Sequence, residues 1–228
     1  MKPDIKLNAF LANLPLFKEV DAEEIERVAQ GTRALHIERG QMLFHKGAAS
    51  EGFHLVVYGQ IKLAFTSPQG ADKVVEIVGP GMSFGEAVMF LEKPYPVYAQ
   101  ALADSMLLHV SRSAVFQELE RNPGFARKML GGLSRRLHSL VNDVEAYSLR
   151  SGAQRVIGYL LRDDTLVDTG PKTVSVTLPT SKGVIASRLN LTPQHFSRIL
   201  HELTETGLIR VEGRTVHIPD VERLRAYE

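Results

Sequence analysis

The chain has 228 residues, enough for one large core or two small ones, and its 44% apolar and 23% charged residues are those of an ordinary folded globular protein. It contains no cysteine, which excludes disulfides, thiolate zinc sites, iron–sulfur clusters and cysteine nucleophiles. The formal net charge is +1, so any affinity for nucleic acid must come from local clustering; no apolar run approaches the ~20 residues that span a bilayer and MKPDIKLNAF lacks a signal-peptide core, so a cytoplasmic chain without membrane contact is expected.

Near the amino terminus, VDAEEIERVAQG reads as a helix: Asp21 is its N-cap, Glu24 completes a capping box, Ile25 and Val28 form the buried side and Gly31 stops it. From about Leu35 to Val110 short alternating apolar runs such as FHLVVYGQIKLAF and KVVEIVG are punctuated by Gly40, Gly47, Gly52, Gly59, Gly70, Gly79, Gly81 and Gly85, which predicts an antiparallel barrel or jelly roll. Helical texture returns after Ser111, and Asn122-Pro123 makes a good helix start. Beyond it Ala126, Leu130, Leu133, Leu137, Leu140, Val144 and Tyr147 alternate in steps of four and three. That seam is narrow and flanked by Arg135, Arg136, His138 and Asp143, which points to a two-fold dimer; a long helix lying on the barrel is the alternative. A hinge is expected around SLRSG. The predicted architecture is α+β, with a sensor jelly roll and amino-terminal helix over 1–122, a dimerisation helix and hinge over 123–149, and a second unit over 150–228.

In that second unit a helix, a hairpin candidate (TVSVTLPTS), two short helices and a final hairpin turning at Glu212-Gly213 follow in the order of a winged helix-turn-helix. In the first short helix Ser181 caps, Val184, Ile185 and Leu189 are apolar, and Ala186 is small enough to let a second helix cross closely. Asn190 tolerates the left-handed turn between them. The second helix is capped by Thr192, starts at Pro193 and buries Phe196, Ile199, Leu200 and Leu203, leaving Gln194, His195, Ser197 and Arg198 on or beside its outward face. There an Arg guanidinium can pair with guanine and a Gln amide with adenine, and Lys182 is a candidate phosphate contact. From Thr169 to His201 there is no Asp or Glu, while Lys172, Lys182, Arg188 and Arg198 stand beside His195 and His201. The alternative is that these groups only solvate a surface helix.

Almost end to end, from LANLPLFKEV to the final hairpin, the chain resembles the Crp/Fnr superfamily of bacterial transcription regulators. The likeness lies in ERGQMLFHKGAASEGFHLVVYGQIKLAF, in GPGMSFGEAVMF and in FSRILHEL; FGEAVMF and FSRI are most similar to the dissimilatory nitrate respiration regulator (Dnr-like) branch. The resemblance implies a cyclic-nucleotide-binding-like barrel and a homodimer on a palindromic TTGA-like promoter site, with RNA polymerase as a further partner. It also implies that Ser197 and Arg198 contact the thymine and guanine of each half-site. Where the family commonly has Glu followed by Thr or Ser, this chain has Gln194 and His195. A carboxylate only accepts hydrogen bonds whereas an amide also donates, so the base read at this position is left open.

In the cyclic-AMP receptors of this family a Gly-Glu pair faces the ribose and an Arg-Ser pair the phosphate. Gly85-Glu86 is present here, but the phosphate positions read Pro96 and Val97. Burying a phosphate without a cation costs several kcal/mol or more, so cyclic AMP is not the expected ligand. Gly85 then serves a sharp strand–helix bend and Glu86 an internal hydrogen bond as the bland alternative. Phe84, Gly85, Glu86, Tyr95 and Tyr98 are the candidate effector-pocket residues; PYPVY either lines an apolar pocket or fills a loop core. The Dnr-like branch implies haem and nitric oxide with a histidine axial ligand, for which His36, His45, His54, His109 and His138 are the candidates, none singled out by spacing. No metal site and no clustered acid–base pair or nucleophile is expected, hence no enzyme. The competing class is an effector-binding barrel that regulates a partner protein, and a regulator active without ligand is the other alternative.

Overall fold

The structure, a computed structural model, describes residues 7–12, 17, 20–67, 70, 72–161, 166–168 and 173–227; for 135–136, 139–140, 142–143, 145–149 and 166–168 it describes the backbone only. Leu140 and Tyr147 of the seam, Arg135, Arg136 and Asp143 on its flanks, and Lys172 of the basic run therefore lie outside the described side chains. The chain divides into two compact units, Met1–Ser139 and Leu140–Glu228, and the division falls inside the long helix.

The first unit opens with α1 (Leu7–Ala12) and α2 (Ala22–Gln30). The capping box forms as the sequence predicts, with the Asp21 carboxylate accepting from the Glu24 amide and the Glu24 carboxylate from the Asp21 amide, both at 2.9 Å. Eight strands follow: β1 (Thr32–Ile37), β2 (Met42–Phe44), β3 (Gly52–Tyr58), β4 (Ile61–Thr66), β5 (Asp72–Val78), β6 (Ser83–Phe84), then β7 (Tyr98–Ala101) and β8 (Ser105–Ser111) after the short α3 (Glu86–Phe90). They form two four-stranded sheets of order β1-β8-β3-β6 and β2-β7-β4-β5, every pairing antiparallel. Period-two alternation gives the first sheet two buried faces. Ile37, Val56, Phe84 and Leu107 meet Ile61, Val78, Ala99 and Ala101 of the second sheet. On the other face Phe53, Leu55, Leu108 and Val110 pack under Ile25 and Val28 of α2 and Val115 of α4 (Arg112–Arg121), with Phe125 and Met129 of α5 (Pro123–Leu149).

Polar groups tie these helices together. The guanidinium of Arg27 makes two bonds to the buried Glu118 carboxylate at 2.6 and 2.7 Å, and Lys128 of α5 reaches the fully buried Glu24 at 2.8 Å. A buried carboxylate persists only with such partners. Helix α5 runs unbroken over 27 residues, and its described apolar side chains split by depth. Phe125 and Met129 are buried, whereas Leu130, Leu137, Val141 and Val144 are 63%, 64%, 57% and 62% exposed.

The second unit holds α6 (Gly152–Leu160), β9 (Leu166–Asp168), β10 (Val174–Thr177), α7 (Lys182–Arg188), α8 (Pro193–Glu205), β11 (Arg210–Glu212), β12 (Thr215–Ile218) and α9 (Val221–Arg225). Its sheet has the order β11-β12-β10-β9. TVSVTLPTS supplies one strand, β10, rather than a hairpin of its own: β10 pairs β9 on one side and the wing strand β12 on the other. The wing turns at Gly213, whose φ of 60° suits glycine.

Candidate nucleic-acid interface and barrel cavity

Helix α7 starts at Ser181, whose hydroxyl accepts from the Val184 amide at 3.4 Å, and buries Ile185, Ala186 and Leu189. Asn190 then takes φ 57°, the left-handed turn expected of it. The pattern of apolar residues did not reveal what holds this turn. Arg155 of α6 donates from Nη1 to the carbonyls of Leu189 and Asn190, at 2.7 and 3.3 Å, and so caps the end of α7 from a third helix.

Thr192 caps α8 by accepting from the His195 amide at 3.2 Å, and Phe196, Ile199, Leu200 and Leu203 are buried. Gln194, Ser197 and Arg198 are exposed, as are Thr192 and Lys182. No acidic residue lies in the first turn, so the positive end of the helix dipole is left uncompensated on that face. His195 is only half-buried and is turned to α6. A Cβ on Gly152 would lie 3.2 Å from Ile199 Cδ1 and 3.3 Å from His195 Cε1, so α6 begins in tight contact with α8 and a larger residue there would make these side chains give by a few tenths of an ångström. Arg188, which the sequence counts among the positive charges of this segment, is 7% exposed and adds nothing to the surface. Arg198 Nε lies 3.6 Å from Glu202 Oε1, and His201 Nε2 lies 3.2 Å from Glu205 Oε1. Both are exposed i,i+4 pairs, which hold a side chain loosely in water and yield to a stronger partner. Behind the wing, Arg214 donates from Nε and Nη2 to the Leu178 carbonyl at 3.1 and 3.0 Å, fixing the turn to the chain after β10.

In the barrel, strand register assembles a row that no spacing along the chain suggests. Arg33 of β1 faces His109 of β8, His109 faces His54 of β3, and His54 faces Phe84 of β6. His54 and His109 are 6% and 7% exposed, with His109 Nδ1 and His54 Nε2 3.2 Å apart. The His54 ring stacks on Phe84 with centroids at 5.2 Å. Burial first, then the neighbouring His109 and the charge of Arg33, push the His54 pKa down to about 3. His109 is lowered as well, by burial and then Arg33. Of the other candidate histidines His36, His45 and His138 are exposed.

A cavity of about 370 Å³ is lined by Arg33, Leu35, His36, Ile37, Met42, Phe44, Glu51, Tyr95 and both buried histidines, among others. The candidate pocket residues divide around it. Tyr95 lines it, stacked on Phe44 at 3.6 Å with its hydroxyl donating to the Gly52 carbonyl at 3.3 Å, and Phe84 stands behind His54. Gly85 takes φ 95° at the start of α3, the sharp bend that suits glycine, and neither it nor Glu86 lines the cavity. Tyr98 belongs elsewhere: its hydroxyl bonds to the Asp72 carboxylate, which also holds Lys62 at 3.0 Å. Among the described residues no group of three or more His, Asp or Glu is placed to hold a metal, and no helix is long and apolar enough to cross a membrane.

Two family models match in succession, the cyclic nucleotide-binding domain over residues 34–122 and the Crp-like helix-turn-helix domain over 154–227. A solved structure from Ruegeria pomeroyi DSS-3, named for cyclic-nucleotide binding, is 30% identical, with 97% of this chain and 96% of that one covered and a TM-score of 0.68. The chain belongs to the Crp/Fnr family. The CRP-like cAMP-activated global transcriptional regulator of Mycobacterium tuberculosis H37Rv is 24% identical over 96% of this chain and 98% of its own length. A solved structure of DNR from Pseudomonas aeruginosa is 29% identical, covers 96% of each chain and has a TM-score of 0.54. This Crp/Fnr chain is a transcription regulator, not an enzyme, with an effector-binding domain followed by a DNA-binding helix-turn-helix.

Proposed function

We propose that this regulator binds a palindromic TTGA-like promoter site as a homodimer, recruits or blocks RNA polymerase there, and is switched by a small molecule other than cyclic AMP held in the barrel. One observation carries the DNA-reading part. The leading end of α8 presents Gln194, Ser197 and Arg198 outward on a helix whose opposite side is fully engaged in core. A guanidinium there pairs with guanine O6 and N7, and a hydroxyl or amide reads its neighbours, while Lys182 meets phosphate. Pairing of two chains is supported by the apolar stripe Leu130, Leu137, Val141 and Val144, whose steps of seven, four and three follow a heptad seam and whose exposure in one chain leaves it to be covered by another. Leu133 is half-buried beside it. Two-fold symmetry then sets the recognition helices about one DNA turn, ~34 Å, apart.

Cyclic AMP is disfavoured because Pro96 and Val97 stand where a phosphate would need a cation. Haem sensing nitric oxide is the second candidate, favoured by one observation: His54 keeps a buried Nδ1 without a hydrogen-bond partner, and a neutral imidazole nitrogen is what haem iron takes as axial ligand. The deciding experiment is a gel-shift titration of purified protein on a duplex bearing two TTGA half-sites in dyad arrangement, with and without hemin and nitric oxide. Retardation that depends on both half-sites is expected; equal retardation of a scrambled duplex overturns the assignment, and an unchanged hemin spectrum removes haem.

A further inference from the structure

The cavity beside the histidine row has a chemistry that can be worked out from proton counting. Two neutral imidazoles carry two protons on four nitrogens. One proton lies in the bond between His109 Nδ1 and His54 Nε2. The other must sit on an outer nitrogen. If His54 Nε2 donates, His109 Nε2 carries the second proton and His54 Nδ1 is bare; if His109 Nδ1 donates, His54 Nδ1 carries it and His109 Nε2 is bare. Either way the pair presents one donor and one acceptor outward, and His54 Nδ1 is buried without a partner. Such an atom asks for a ligand group or water to satisfy it.

The rest of the lining narrows the class. Arg33, at the end of the row, makes no ion pair among the described residues. Its charge acts on both buried imidazoles, while the Glu51 carboxylate on the same lining opposes it at His109, so Arg33 is the one cationic side chain and Glu51 the one anionic side chain among the residues that line the cavity. Leu35, Ile37, Met42 and Phe44 make the remaining wall apolar. A volume of about 370 Å³ suits a compact molecule, at the low end of the ~300–1,000 Å³ of ligand pockets. One guanidinium matches a single negative charge but not a dianion.

We infer that this cavity, rather than the Gly85-Glu86 corner, is a ligand site for a small organic acid, with its carboxylate held by Arg33 and by the outward N–H of the His54–His109 pair and its apolar body against Leu35, Met42 and Phe44. That occupancy switches DNA binding rests on the regulator assignment; the binding itself does not.

Benzoate serves as the probe, with benzylammonium and benzyl alcohol as charge controls, titrated into the full chain by calorimetry while the imidazole signals are followed by NMR. Benzoate is expected to bind at least about tenfold more tightly than either control, to move the His54 and His109 resonances, and to lose about tenfold or more in Arg33→Gln, whose side chain is exposed and whose removal leaves the core intact. Equal affinity for benzyl alcohol, unchanged binding in Arg33→Gln, or unmoved His54 and His109 signals at ~10 mM benzoate would overturn the site. A hemin complex that displaces benzoate and shifts the same two signals more strongly assigns the cavity to haem and overturns it as well. Gel-shift on the same preparations separates the two claims: DNA retardation without benzoate binding removes the site alone, and benzoate binding without retardation keeps the site and removes the proposed reading of a TTGA-like promoter site.

Discussion

The outward face of α8 and the inner row of the first barrel sheet are both lines of polar groups, but they are made differently. On α8 the helical period places Gln194, Ser197 and Arg198 within two turns of one another, and the caps at Thr192 and Pro193 lie in the same stretch of chain. In the barrel Arg33, His109, His54 and Phe84 come from four strands and meet only through register. The helix face is open to solvent, so its guanidinium, amide and hydroxyl stay hydrated until phosphate and base edges replace that water. In the barrel row Arg33 is exposed while His54 and His109 are buried, and burial holds the two imidazoles neutral. One region is proposed to meet a polyanion, the other a small molecule.

The sharpest way to break the outward half of this comparison is at the helix stripe that supports pairing. Leu137→Glu puts a charge on a surface proposed to be shared by two chains, and sedimentation velocity should find a monomer with DNA retardation lost. A dimer that still binds would remove the α5 stripe as the interface. Next in size, Arg198→Ala should cost roughly 1–3 kcal/mol per half-site and relax choice at one base pair, whereas Lys182→Ala should weaken all duplexes alike and lessen the salt slope. A uniform loss from Arg198→Ala would contradict its base-reading role. Arg155→Met leaves the Leu189 and Asn190 carbonyls without their donor and should lower the unfolding free energy of the second unit by about 1–3 kcal/mol in urea titrations, with no change in which bases are preferred.

The inward half is sharpened by pH. An unfolded His54 takes up its proton near pH 6.5, the folded one only near pH 3. Between those values the unfolded state binds more protons, so stability is complete above about pH 6.5 and falls as pH drops toward 3. Urea unfolding at pH 7.5 and 5.5 should differ by about 1 kcal/mol from this group, and the difference should shrink in His54→Phe. An identical pH slope in the variant would mean that His54 is not the buried neutral group described.

Much of the scaffold was legible because its signals are short-range. The Asp21–Glu24 box, the Ser181 and Thr192 caps, the left-handed Asn190 and the buried side of α8 all appear where local chemistry puts them, since a cap or a helical face is decided within four residues. The basic run was less legible: Arg188 turned inward and His195 toward Gly152, because a residue type announces charge but not which neighbour will cover it. The same holds for PYPVY, in which Tyr95 lines the cavity while Tyr98 joins Lys62 and Asp72. Spacing singled out none of the candidate histidines, for the partner of His54 lies 55 residues away on β8.

By itself the amino-acid sequence determined the class of molecule, the order of its parts and the polar tip of the recognition helix, because helix periodicity and capping are written into consecutive residues. Only the tertiary structure decided which histidines are shielded from water, which cation stands over them and where the cavity opens, because strand pairing is a long-range choice made by the packing of two sheets and burial is a property of that packing rather than of any residue.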